Sequence, residues 1–295
     1  MLQLEDLAGL LTEHADAVNA PIKNFAVGDV DFDWEHAPAI MGVVNLSPGS
    51  WYRESVCLTP EAAIERGFIL YAQGAQVIDL GAESTLANTE RVNAEAQNQK
   101  LLPVIKELAK AGVPISVESY QPDVARVCLE AGASVLNLTG TERGPELYEA
   151  VAEHDAAVII CFVQGDNVRA VKDYRLEDDP IPMLEDYFTR EIEAANKAGV
   201  EKIFIDPGLG FYYENLQDSA VRIRHQMKTF LHSFRLRKLG YPICHALPHA
   251  FEFFREEVRS AEGFFAVLAS LGKTNLFRTH EVGKVKAVLK TLSVY

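Results

Sequence analysis

Eight short apolar runs rich in β-branched residues recur along the chain: AIMGVVNL (39–46), QVIDL (76–80), PISVES (114–119), SVLNL (134–138), AAVIICFV (156–163), KIFID (202–206), PICHAL (242–247) and NLFRTH (275–280). Between them the hydrophobic period changes. PEAAIERGFILYAQG, QNQKLLPVIKELAKAG, QPDVARVCLEAG and PMLEDYFTREIEAANKAG space their apolar positions by three and four and carry a glycine near the end, where a helix C-cap belongs. Runs apolar on both faces suit a parallel sheet covered by helices, so the chain reads as α/β. Eight such units predict closure into a single (β/α)8 TIM barrel. A doubly wound open sheet is the rival, because periodicity does not see closure. Residues 1–36, ending in NFAVGDVDFDWEH, predict an N-terminal extension made of a lead-in helix and a short hairpin that plugs the barrel bottom. Residues 37–295 are then the barrel, with no low-complexity linker and no second domain.

Composition agrees with this picture and narrows the partners. The 295 residues, 48% of them hydrophobic, suffice for a barrel of about 250 residues with an extension. No apolar run approaches the roughly 18 residues of a membrane helix, and the N-terminal MLQLEDLAGLLTEHADAV is acidic where a signal peptide would be basic. A cytoplasmic protein without a membrane partner is expected. The formal net charge of −14 argues against nucleic acid, whose phosphates are held by clustered Lys and Arg. Cys57, Cys128, Cys161 and Cys244 lie far apart, with no CxxC pair or zinc spacing, and are expected to be reduced packing residues.

In a barrel of this kind chemistry sits at the C-terminal ends of the strands. Those positions hold Asn45, Glu83, Thr85, Glu118, Asn137, Gln164, Asp206, His245, Arg278 and His280. Helix capping accounts as well as function does for Ser47, Ser84 and Thr85. Asn137 and Asp206 are different, because SVLNL and FIDPG embed them in apolar sequence, where an unpaired amide or carboxylate costs several kcal/mol. Converging at one barrel end, they fit a planar ligand with adjacent N–H donors, such as a 2-aminopyrimidinone ring. Glu118 is a third acid for the same ligand.

Five ordered motifs then match a known family. IMGVVNLSPGSW resembles the first-strand motif MGILNVTPDSF of the dihydropteroate synthases, and GAQVIDLGAEST their GAdIIDIGGEST. YQPDVARVCLEAGASVLNLTG is similar to yKpeVAraAleaGAdiiNDvsG, FIDPGLGF to DPGiGF, and FRTHEVGKV to the closing RvHDV. The resemblance implies condensation of 6-hydroxymethyl-7,8-dihydropterin pyrophosphate with p-aminobenzoate, expelling pyrophosphate through a carbocation-like state helped by Mg²⁺. It implies that Asp206 and Asn137 hold the pterin ring, with Glu118 where the family has an Asp and Thr85 in the substrate-binding set. Asn45 is implied at Mg²⁺ or pyrophosphate, and Arg278 and His280 at the departing phosphates. A homodimer is implied too.

Departures cluster on one side. Where the family has an Arg and a Lys in an SRKS sequence after strand seven, this chain has His249 and Ala250. The loop-one acid is Gly49, the Arg-Pro of loop two becomes Leu86–Asn88, the Asp after the strand-four Asn is Leu138, and a strand-five His is Phe162. The pterin half thus looks retained and the p-aminobenzoate half rebuilt, which leaves two classes open: a synthase-like transferase using p-aminobenzoate or another acceptor, and a non-catalytic pterin-binding paralogue. The methyltetrahydrofolate:corrinoid methyltransferases share barrel and pocket, but RTHEV favours the synthase branch. His245 and His249 have the i, i+4 spacing of a metal pair, which Pro248 disfavours as one helix, and no third ligand is evident. GASVLNLTG lacks the order of a dinucleotide loop. Arg222, Arg224, Lys228, Arg235, Arg237 and Lys238 read as a solvated basic face, with a subunit contact or an anionic-ligand rim as the other readings.

Overall fold

The computed structural model describes residues 1–50, 52–86, 89–171, 174–211 and 218–295. Each of the eight apolar runs forms a strand: β1 Ala39–Asn45, β2 Val77–Gly81, β3 Ile115–Glu118, β4 Val135–Leu138, β5 Ala157–Cys161, β6 Ile203–Asp206, β7 Cys244–Ala246 and β8 Leu276–Thr279. All ladders are parallel, in the order β6-β5-β4-β3-β2-β1-β8-β7, and an Ile205–Ile243 bridge joins β6 to β7. The barrel is closed, and the open-sheet rival falls away.

The helices of the repeat are α3 (Pro60–Gln73), α4 (Ala94–Lys110), α5 (Pro122–Glu130), α6 (Gly144–Glu153), α7 (Ile181–Lys197), α8 (Ser219–His232), α10 (Ala261–Leu271) and α11 (Val282–Leu292). A short α9 (Phe251–Phe254) follows β7, and α1 (Leu4–Glu13) and α2 (Ala15–Val18) precede the barrel. The glycines anticipated at helix ends, Gly74, Gly112, Gly132 and Gly199, all take a positive φ, which a side chain would resist. Among the described residues, no helix is long and apolar enough to cross a membrane.

Strand alternation divides the core in two. Outward residues such as Ile78, Val117, Leu136, Ile160, Ile205 and Phe277 pack against the helices. Inward residues, including Met41, Val77, Val135, Ile159, Phe204 and Leu276, form a second cluster inside the barrel. Its lower end is closed by the extension: Val27 and Val30 pair as a hairpin, and Trp34 lies between Phe32, stacked at 4.4 Å, and Phe204, edge-on at 4.8 Å. Asn275 Nδ2 donates to the Trp34 carbonyl at 2.6 Å and holds the plug to the barrel. The basic stretch is not a uniformly solvated face. Arg222 and Arg237 are buried, paired with Glu252 and Glu35, while Arg235 pairs with Asp179 and Lys238 with Asp16. These bonds tie α8 and the 3-10 segment after it to neighbouring elements and to the extension.

Candidate active site

Two residues beyond the inner apolar layer, the same strand faces turn polar: Val77 leads to Asp79, Val135 to Asn137, Phe204 to Asp206 and Leu276 to Arg278. Period-two geometry therefore delivers a ring of polar groups just above the dry core. Arg278 is its hub, with Nε donating to Asp79 Oδ2 at 2.7 Å and Nη2 to Glu118 Oε2 at 2.6 Å. Asp79 also accepts from Ser116 Oγ at 2.6 Å and from Asn137 Nδ2 at 3.3 Å. The Cys161 thiol, 3.7 Å from Asn137 Oδ1, also reaches Asp206, which joins the two ring-binding candidates through one side chain.

Asp206 sits where β6 stops, and its Oδ1 accepts the Gly208 amide at 2.8 Å. Gly208 has φ +77°, and a Cβ there would lie 2.4 Å from the Phe162 carbonyl oxygen, so glycine is a geometric requirement at this turn. Three acids face one arginine in a dry space, and the electrostatics follow. Burial raises Asp206 to about 6, against the Gly208 amide and Arg278. Burial likewise raises Glu118 to about 7, with Arg278 opposing and Asp79, Glu83 and Asp206 adding repulsion.

A cavity of about 60 Å³ opens above this ring, lined in part by Asn45, Thr85, Glu118, Arg278 and His280. Asn137 and Asp206 lie beneath it, each 2% exposed. Asn45 Nδ2 donates to Ser55 Oγ at 2.6 Å, which orients its amide oxygen from the first loop. Other strand-end candidates do different work. Glu83 borders the cavity, yet its oxygens accept the Val92 amide and the Tyr120 hydroxyl, both at 2.9 Å. Gln164 is bonded to the Arg175 backbone, away from the mouth. His245 points outward into the helix layer, 2.7 Å from Ser233 Oγ, and burial depresses it to about 3. It forms no pair with His249.

Three residues that strand-end reasoning missed complete the site. Asp79 is mid-strand, though the carboxylate inside VIDL carries the same signal that singled out Asp206. Tyr52 comes from the first loop, packs beside the rings of both His249 and His280 at 4.7 and 4.5 Å, the two imidazoles themselves being 5.3 Å apart, and donates its hydroxyl to Glu281. Glu262 is fully buried on α10, where its oxygen Oε1 is 2.8 Å from His249 Nε2 and 2.9 Å from His280 Nδ1. Its spacing betrayed it: Glu262, Phe265, Ala266 and Ala269 fall at i, i+3, i+4 and i+7, a carboxylate on an apolar stripe. The trio could in principle surround a cation. His280 Nδ1 is instead hydrogen-bonded directly to Glu262, while His249 Nε2 stands at ion-pair distance from the same oxygen.

At the position of the family's lysine, Ala250 is 6% exposed and left-handed at φ 45°, so no cation reaches the mouth from there. Of the altered second loop, Ala87 and Asn88 lie outside the described residues, as do Trp51 of the first motif and residues 212–217 after the sixth strand.

The sequence pattern described as "Pterin binding enzyme" matches residues 41–247. A dihydropteroate synthase of Streptococcus pyogenes is 30% identical over 268 residues, covering 86% of this chain and 94% of its own. A solved dihydropteroate synthase of Xanthomonas albilineans, bound to 4-aminobenzoic acid, superposes with a TM-score of 0.77 at 28% identity, over 92% of this chain and 97% of its own. The same enzyme in complex with 7,8-dihydropteroate gives a TM-score of 0.74 at 26% identity, over 92% and 98%. Similarity of that extent, on the same closed barrel, makes this chain a member of the pterin binding enzyme family, beside the dihydropteroate synthases.

Proposed function

We propose that the chain is a synthase-type transferase that binds 6-hydroxymethyl-7,8-dihydropterin pyrophosphate and joins its methylene carbon to an amine, p-aminobenzoate or another acceptor. The observation that carries this reading is the ring of Asp79, Glu118, Asn137 and Asp206 around Arg278, with Asp79, Asn137 and Asp206 buried and Glu118 facing the cavity. A 2-amino-4-oxopyrimidine edge presents N–H donors beside a carbonyl, and these carboxylates and amides are its complement. Specificity would come from unpaired buried groups when the wrong ring enters.

In the reaction the methylene C–O bond breaks, pyrophosphate leaves with the electron pair, and the amine nitrogen forms the new C–N bond and gives up its proton to solvent. Arg278 and His280 line the cavity from the last strand and its loop, where cationic donors would stabilise the leaving oxygens. Asn45 offers one neutral oxygen, which fits an Mg²⁺ held chiefly by the ligand's phosphates, and such an ion would neutralise charge on the leaving group. The nitrogen-rich His249, Glu262 and His280 set does not suit that ion.

The non-catalytic reading is favoured by one observation, the buried Ala250 where a lysine is expected. The experiment supplies pterin pyrophosphate, Mg²⁺ and p-aminobenzoate and quantifies dihydropteroate and pyrophosphate separately. Dihydropteroate supports the synthase. Pyrophosphate alone points to another acceptor or to water, and neither product with ring still bound identifies the paralogue.

A further inference from the structure

We infer that Glu262 is the positioning residue of the phosphate end, clamping His280 by Nδ1 so that a phosphate is bound together with one proton. The inference rests on the reading of His280 as a phosphate ligand.

Glu262 is wholly buried and has no place in the cavity lining. Its Oε2 accepts from the Thr279 hydroxyl and, at 3.1 Å each, from the amides of His280 and Glu281. Its Oε1 meets His280 Nδ1 at 2.9 Å and His249 Nε2 at 2.8 Å. A carboxylate amid so many donors is an acceptor only, so Nδ1 of His280 must carry its proton. Burial works against the Glu262 charge, but the His249 and His280 contacts hold its pKa well below the carboxylate range.

With Nδ1 committed, a neutral His280 has only a lone pair at Nε2, which repels a phosphate oxygen. Donation from Nε2 requires the imidazolium. In the empty protein burial keeps the His280 pKa below its ordinary value, with Glu262 opposing and His249 and Arg278 adding to the depression. Among the described residues, the other charged groups at this corner are Glu281, paired with Arg259 and near Lys284, and the Tyr52 hydroxyl is bonded to Glu281. None of these replaces the carboxylate at Nδ1. The phosphate therefore recruits a proton from solvent to His280, and Glu262 faces the new positive charge at hydrogen-bond distance.

Isothermal titration of inorganic pyrophosphate near pH 7.5, in buffers of different ionisation enthalpy, counts the protons taken up. The wild type is expected to take up about one proton more per pyrophosphate than Glu262→Gln, which binds roughly tenfold more weakly. Binding of 6-hydroxymethylpterin, which has no phosphate, is expected to be unchanged. His280→Asn keeps a donor toward Glu262 but lacks Nε2, and is expected to lose the same proton with Glu262 intact. Unchanged proton counts in both variants overturn the inference while leaving the phosphate site standing. A wild type that binds the pterin but no pyrophosphate overturns the phosphate-end reading, and the inference with it.

Discussion

At the residue scale, Asp206 shows a group held at a cost that binding would recover. Burial raises it to about 6 from an ordinary value near 4, so the folded state favours the neutral acid. A raised folded pKa contributes stability below the unfolded value that is lost as pH climbs through the folded one, a penalty of about 3 kcal/mol for two units. Asp206→Asn removes that penalty and keeps an oxygen for the Gly208 amide. The variant is expected to melt higher than wild type at pH 8 and nearly level with it at pH 4, while ring affinity falls by roughly 2–5 kcal/mol because an amide opposes a ring N–H with a donor. Calorimetry with a pterin and paired melting curves check both halves. Arg278 carries the opposite liability. Its removal strands Asp79 and Glu118 in the barrel, so Arg278→Ala is expected to cost about 3–5 kcal/mol of stability above pH 7. The loss shrinks toward pH 5, where Glu118, raised to about 7, is protonated. Denaturant titration at the two pH values separates this from a purely phosphate-binding role.

At the element scale, the extension behaves as part of the barrel core. Trp34 is 1% exposed, donates its indole N–H to the Phe25 carbonyl at 3.0 Å, and contacts Phe204 of β6, whose next inward residue is Asp206. Trp34→Ala is expected to destabilise by about 3–5 kcal/mol, measured by denaturant unfolding. Ring affinity is expected to survive in the folded fraction, because the polar layer is held by its own bonds. Helix α10 carries the site from outside the barrel wall: one carboxylate on its apolar stripe caps the loop after β8 through the His280 and Glu281 amides.

At the scale of the whole molecule, a net charge of −14 surrounds an interior where three acids face one arginine. The site is thus poised by proton occupancy. If Asp206 is the ring anchor proposed above, ring affinity is expected to decline as pH falls below about 6, where Asp206 loses the anionic form that would accept the ring's N–H bonds. A titration of pterin affinity from pH 5 to 8 checks it, and a flat profile would remove Asp206 from the anchor role.

The local pattern determined the eight strands, the helices between them, their glycine ends and the polar groups at the strand tips, since each depends on backbone periodicity and short-range sterics. Motif order determined the family. Only the tertiary structure decided closure, because one bridge between Ile205 and Ile243 distinguishes a barrel from an open sheet and no local period encodes it. Tertiary structure also decided partnership: Arg278 meets an acid 199 residues away in sequence, Tyr52 meets one 229 away, and His249 finds Glu262 instead of His245. Which charge neutralises which is settled by the distances closure imposes on side chains in a dry interior, where an unpaired group costs more than any local preference supplies.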